Sequence, residues 1–103
     1  MQDKEGRTPL HIASRAYDTE ADDTKAVKLL LEHGANRDIC DNEQCSPLLI
    51  VSRNGHMDII KLLLQYKCNP YICNNCKKLP YLIAYQWGHA DIGVWLENTL
   101  YPL

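Results

Sequence analysis

The sequence has no long apolar run and no pattern typical of a secretory leader. Its apolar stretches fall well short of the ~20 residues that a helix needs to cross a bilayer. The chain does not start with a positively charged segment followed by an apolar one. We therefore expect neither membrane insertion nor export through a cleaved signal.

Strong charge of either sign is also missing. The net charge is −2 over 103 residues, which gives no global field to attract nucleic acid or an anionic membrane. The charge is uneven, however: residues 3–43 carry ten acidic and six basic side chains, and residues 44–103 carry three and five. Most of the acidic excess lies in one short stretch that contains Asp18, Glu20, Asp22 and Asp23.

The cysteines form no disulfide framework. There are five, an odd number, which indicates a reduced, intracellular protein, cytoplasmic or nuclear. Cys73 and Cys76 form a C-x2-C pair, preceded by Cys40 and Cys45. If the four thiols met, they would suit a zinc or redox-sensing site, and this alternative stays open. Unpaired thiols are the favoured interpretation, with no metal expected.

Signatures of catalysis are absent from the sequence as well. It contains no glycine-rich phosphate loop, no paired catalytic carboxylates and no basic stripe interleaved with aromatics. Ser14, Ser46 and Ser52 have no base that their spacing identifies. His56 and His89 each follow a glycine in the same local motif, which indicates a structural hydrogen-bonding role. We expect a non-enzyme without a cofactor.

The sequence does contain an internal repeat. The stretch GHMDIIKLLL at residues 55–64 returns 33 residues later as GHADIGVWL at residues 88–96. Its second half also matches AVKLLL at residues 26–31. A unit copied at this period predicts a stacked array, in which neighbouring units cover apolar faces that no unit can cover alone.

Each copy also begins a short helix in the same way. The starts TPLHIA, SPLLIV and LPYLIA occupy residues 8–13, 46–51 and 79–84. Thr8 and Ser46 can cap the helix through a side-chain oxygen, whereas Leu79 cannot. Proline follows in each copy, at the first helical position, where it sacrifices no hydrogen bond. We expect first helices of about seven or eight residues, each followed by an amphipathic second helix.

These motifs, together with Gly34-Ala35-Asn36, resemble the ankyrin repeat. The resemblance covers nearly the whole chain as one domain, residues 1–103, with repeats at approximately residues 3–40, 41–73 and 74–103. It implies an all-α solenoid of stacked helix–turn–helix units with short β-turn fingers. We also expect the chain to be part of a longer protein.

Several positions depart from the repeat pattern. The first copy has five extra residues between its helices, which predicts an acidic loop over residues 17–23. Gly34, suited to end a helix with positive φ, is replaced in the second copy by Lys67. Glu97 falls where the earlier copies have leucine, which predicts a solvent-facing last repeat. We expect modest stability from such degenerate repeats.

The first copy has no polar helix ahead of it. Apolar surface on its leading side is expected from Leu10, Ile12, Ala26, Leu29 and Leu30. This exposed first repeat could support self-association. A structural spacer or self-associating assembly module is therefore an alternative function.

The family resemblance implies a protein or peptide partner on the concave face, with the chain acting as a non-catalytic adaptor or regulatory module. Arg15, Arg53 and Trp87 take equivalent or neighbouring positions and are expected to form a row across that face. Arginine and tryptophan are enriched among interface hot spots. The predicted binding residues are Arg7, Arg15, Asn42, Glu43, Arg53, Asn54, Lys78, Gln86 and Trp87, with Lys4, Glu5, Cys45, Asn75 and Cys76 beside them.

Overall fold

The computed structural model describes residues 21–101, together with Gln2, Lys4 and Gly6. This part of the chain contains helices and no strand, as the sequence predicts. The five helices are α1 (Ala21–Glu32), α2 (Pro47–Asn54), α3 (Met57–Gln65), α4 (Pro80–Gln86) and α5 (Ala90–Leu100).

The starts of α2 and α4 confirm the predicted difference in capping. The Ser46 hydroxyl accepts a hydrogen bond from the Leu49 N–H at 3.4 Å, so one orphan donor of the first turn of α2 is satisfied. Leu79 holds the same extended backbone before α4 but provides no side-chain cap. Proline begins both helices, which have eight and seven residues. Their lengths agree with the expectation from sequence.

The helices stack in two layers. α2 packs against both its partner α3 and the equivalent helix α4 of the next unit. α1 packs against α3 in the second layer, and α5 packs against α4. Every one of these helices contributes to one core, whose buried residues are Val27, Leu31, Leu48, Val51, Ile59, Ile60, Leu63, Cys68, Ala84, Ile92 and Leu96.

Two β-turn fingers precede α2 and α4. In the second finger, which belongs to the second repeat, the Asp41 carboxylate accepts hydrogen bonds from the backbone N–H groups of Glu43 and Cys45, both at 2.9 Å. Asn74 holds the third finger, which belongs to the third repeat, in the same way, through the N–H groups of Cys76 and Lys78. The fingers are joined to each other, because the Asn75 N–H donates to the Glu43 carbonyl at 3.3 Å. This bond fixes the two tips side by side.

The predicted acidic loop is wrong at its C-terminal end. Helix α1 already begins at Ala21 and includes Asp22 and Asp23. The remaining residues of the expected loop, 17–20, lie outside the described part of the chain.

The outer surface of the last repeat carries Glu97 among tyrosines. Glu97 is half-buried and accepts a hydrogen bond from the Tyr85 hydroxyl. The Tyr85 ring lies over Gly93, where an added Cβ would stand 2.8 Å from the ring. The Tyr81 ring packs edge-on against Tyr101, with centroids 5.5 Å apart. Tyr85 and Tyr101 remain exposed, so Glu97 shares the exposed outer surface of the last repeat with these tyrosines.

Candidate functional site

A groove runs between the second and third units, bounded by the fingers on one side and by α2 and α4 on the other. Its volume is about 340 Å³. The lining residues, which define the groove from here on, are Glu43, Cys45, Leu49, Ile50, Arg53, Asn74, Asn75, Cys76, Lys78, Ile83, Gln86 and Trp87.

The floor of the groove is apolar. Leu49 and Ile50 from α2 and Ile83 from α4 line it while keeping most of their surface in the core. At one end stands Trp87, whose side chain is 58% exposed. An exposed indole beside an apolar floor offers area that a partner can remove from water, at about 25 cal/mol per Å².

Arg53 and Trp87 lie together at that end. The guanidinium carbon of Arg53 is 5.9 Å from the Trp87 ring centroid, within the range of a cation–π contact. Arg53 occupies the last turn of α2, where a positive charge is favoured by the helix dipole. Trp87 follows the last residue of α4. The two side chains therefore join the ends of neighbouring first helices.

The glycine–histidine turns set this arrangement. His89 precedes α5, and its Nε2 lies 3.0 Å from the carbonyl oxygen of Arg53. Its ring sits so close to Gly55 that an added Cβ there would be 2.6 Å from the ring Cε1. Glycine is thus needed both for φ of 75° and for space. The His89 bond fixes the end of α2, and with it Arg53, against the next unit.

Cys45 lines the groove as a neutral thiol. Burial raises its pKa to about 11, and the nearby carboxylates of Asp41 and Glu43 act in the same direction. A thiol with a raised pKa is a poor nucleophile and metal ligand at neutral pH, since the thiolate is the reactive form. Its contribution to the groove is therefore shape and weak polarity.

The chain was also compared with known protein families. The family model whose description reads "Ankyrin repeats (3 copies)" matches residues 1–72 and again residues 16–98. The chain belongs to the ankyrin repeat family. Ankyrin repeats are generally protein–protein interaction modules and generally non-enzymatic. The resemblance found in the sequence is therefore confirmed, and with it the all-α solenoid.

Several predicted binding residues come together in this ankyrin groove. Glu43, Arg53, Lys78, Gln86 and Trp87 all line it, as do the neighbouring candidates Cys45, Asn75 and Cys76. Two members of the expected row, Arg53 and Trp87, lie in contact, whereas its third member, Arg15, lies outside the described residues, so the full row stays a prediction.

Other predicted residues lie elsewhere. The Asn42 amide donates to the Lys4 carbonyl at 3.0 Å, so this side chain ties the second finger to the first. Asn54 is half-buried at the end of α2 and does not line the groove. Arg7, Arg15 and Glu5 lie outside the described residues.

The groove floor was missed by sequence reasoning. The candidates were transferred from finger tips and exposed helix ends, whereas Leu49, Ile50 and Ile83 are buried residues that show one edge to the groove. One signal was available, because α2 begins with the sequence PLLIV. Five apolar residues in a row exceed what a single helix stripe can bury, so some of them must face another surface.

The geometry of the described cysteines does not support the zinc alternative. Across residues 21–101, with Gln2, Lys4 and Gly6, no group of three or more His, Cys, Asp or Glu side chains is placed to hold a metal ion. Redox sensing at Cys40 and Cys45 is disfavoured, because a redox-sensing thiol typically has a lowered pKa. Burial and neighbouring carboxylates raise the pKa of both thiols.

None of the described helices is both long enough and apolar enough to span a membrane.

Proposed function

We propose that the groove binds a protein or peptide partner and that the chain acts as a non-catalytic adaptor or regulatory module inside the cell. The observation that carries the proposal is the Arg53–Trp87 pair at the end of an apolar floor between two repeats, in which the Trp87 indole is exposed and Arg53 is half-buried. Fold alone does not give a partner, so the proposal rests on these side chains.

The energetics of interfaces favour this site. A few tryptophan, tyrosine and arginine residues usually provide most of the binding energy. Trp87 has only two rotatable side-chain bonds, and the contact between Trp87 and Arg53 restricts both side chains before a ligand binds. Less conformational entropy is then lost when a partner covers them.

The test compares two double variants for affinity to a captured partner. Arg53→Ala/Trp87→Ala should weaken binding by more than ~2 kcal/mol, because it removes both hot-spot side chains. The partner is first captured from cell lysate with the wild-type chain, identified and purified, and its affinity is then measured by calorimetry.

Lys61→Ala/Val94→Ala is the matched control. Lys61 also lies over an indole, 5.6 Å from the centroid of Trp95, and Val94 is exposed, but both belong to the second helices α3 and α5. The control should bind like wild type, and both double variants should melt within a few degrees of it. If the groove variant melts normally and still binds with wild-type affinity, the groove is not the binding site.

One observation favours the alternative of a self-associating module. Leu29 of α1 is 55% exposed and, with Lys25, Lys28 and Glu32, lines a shallow depression on the leading side. Ala26 is exposed beside it, Leu30 is half-buried, and Leu10 and Ile12 lie outside the described residues. If this alternative holds, the apparent molecular mass of the chain in sedimentation experiments rises with its concentration. It also requires that no partner is captured through the groove residues.

A further inference from the structure

The charged groups of the groove are unbalanced. Arg53 and Lys78 are its cations and Glu43 is its one carboxylate. In the described part of the chain the recorded salt bridge is Lys28–Glu32, 3.9 Å long, on α1. Arg53 and Lys78 have no carboxylate partner among the described residues, so their charges remain available to a ligand.

The setting of Arg53 strengthens the effect of its charge. Its guanidinium lies against the indole of Trp87 and beside the buried floor residues. An apolar neighbourhood lowers the local dielectric once a ligand has displaced water, and a charge pair then gains more than at an open surface. A planar guanidinium already held on a ring also loses little freedom when it forms a fork-like pair with a carboxylate.

We infer that the groove selects an acidic peptide segment, whose carboxylates pair with Arg53 and Lys78 and whose neighbouring apolar side chain lies on Trp87. The inference rests on the proposed binding function and adds the chemistry of the ligand. Charge complementarity is its basis. An acidic ligand neutralises the two cations, whereas a basic ligand would be repelled by them.

Glu43 makes the finger side of the groove differ in charge from the helix end where Arg53 lies. It belongs to the second finger, where its carbonyl accepts the hydrogen bond from Asn75, while Arg53 lies at the helix end. A ligand carboxylate is therefore attracted towards Arg53 and repelled from Glu43. Removing the Glu43 charge should leave binding of an acidic peptide unchanged or make it tighter.

The test uses a display library of random short peptides, panned on the wild-type chain. Selected peptides are synthesised and their affinities measured against single variants. We expect enrichment in Asp and Glu, and a loss of about tenfold or more for Arg53→Glu and for Lys78→Glu. Glu43→Gln should bind as tightly as wild type or more tightly.

Lys61→Glu is the matched control, because it changes the net charge by the same amount and also removes a cation from above a tryptophan. It should keep wild-type affinity, and affinity for the wild type should fall as salt is added. Thermal melting of each variant shows that it is folded.

The other outcomes separate this inference from the proposed function. Selected peptides without acidic enrichment, which nevertheless lose affinity for Trp87→Ala, overturn the acidic ligand and leave groove binding intact. An equal loss for Lys61→Glu assigns the effect to net charge and also overturns the inference. Peptides that bind every groove variant like wild type, or a library that yields none, reject the groove as a peptide site.

Discussion

At the scale of single residues, the repeat imposes a left-handed backbone at positions that do not always carry glycine. Gly34 has φ of 82° after α1, and Lys67 has φ of 63° at the equivalent position after α3. The fingers show the same substitution, with Gln44 and Lys77 both at φ of 61° where Gly6 has 77°. A side chain with a Cβ in this region costs about 1–2 kcal/mol.

Lys67→Gly should therefore stabilise the chain. The gain in the free energy of unfolding should be about 0.5–1 kcal/mol, since relief of the left-handed strain is partly offset by the greater freedom of glycine in the unfolded state. Urea unfolding followed by circular dichroism measures it. Lys67→Ala retains the Cβ and should show no comparable gain; an equal gain would assign the effect to the lysine side chain instead.

At the scale of helices, the glycine–histidine turns connect the two helices of a repeat, and His89 also joins its repeat to the preceding one. Gly55 and Gly88 both end a first helix with positive φ, 75° and 84°. Their surroundings differ. Gly55 lies against the His89 ring, whereas an added Cβ at Gly88 would meet nothing within 4 Å. The two positions thus share one backbone requirement and differ in packing.

Comparing Gly55→Ala with Gly88→Ala separates these contributions. Gly88→Ala should lower the free energy of unfolding by about 1–2 kcal/mol, the cost of the left-handed conformation. Gly55→Ala should cost about 1–3 kcal/mol more, because the new methyl group displaces His89. Equal losses by chemical denaturation would mean that the His89 ring moves aside freely.

Helix-level features differ in how far the sequence could predict them. Proline, the Ser46 cap and the Gly55 turn act through neighbouring residues, so their local pattern was sufficient. The start of α1 at Ala21 could not be located, because an insertion has no equivalent in the other repeats. The Tyr85–Glu97 hydrogen bond was likewise missed, since it depends on the space that Gly93 leaves between two helices.

At the scale of the whole molecule, the buried thiol of Cys68 and the half-buried thiol of Cys45 make the stability depend on pH in the alkaline range. Burial raises the pKa of Cys68 to about 12 and that of Cys45 to about 11, against an ordinary value of 9.0. Above pH 9 the unfolded chain releases these protons while the folded chain keeps them. The stabilisation from the protonated thiols is therefore complete below pH 9 and is lost as the pH rises towards 11–12.

We expect the free energy of unfolding to fall from pH 9 upward, with a smaller slope in Cys68→Ala. Denaturant titrations at several pH values between 8 and 11 measure the slope. Val27→Ala is the control, because it removes atoms from the same core without removing a titrating group. It should be destabilised while keeping the wild-type slope. Equal slopes in all three proteins would contradict a role for the Cys68 thiol.

The groove was partly predictable at this scale. Register in the repeat placed Arg53, Lys78 and Trp87 on one face, because stacked units bring equivalent positions together. Register could not show that Asn42 turns towards the first finger or that Ile83 forms part of the floor. Both features depend on how closely two neighbouring units approach each other. That spacing cannot be predicted from the sequence of either unit alone.

The helix contacts described above run in single file, from α1 to α3, α2, α4 and α5. The principal contact between the α4–α5 pair and the other described helices is the one between α4 and α2. When that contact opens, the groove divides, because α2 and α4 each contribute part of its floor. A ligand that contacts both α2 and α4 holds α4 in place, and with it α5, which packs against α4. It does so although α5 contributes no lining residue. Binding of a ligand in the groove would therefore reduce the fluctuations of α5, a helix that the ligand does not contact.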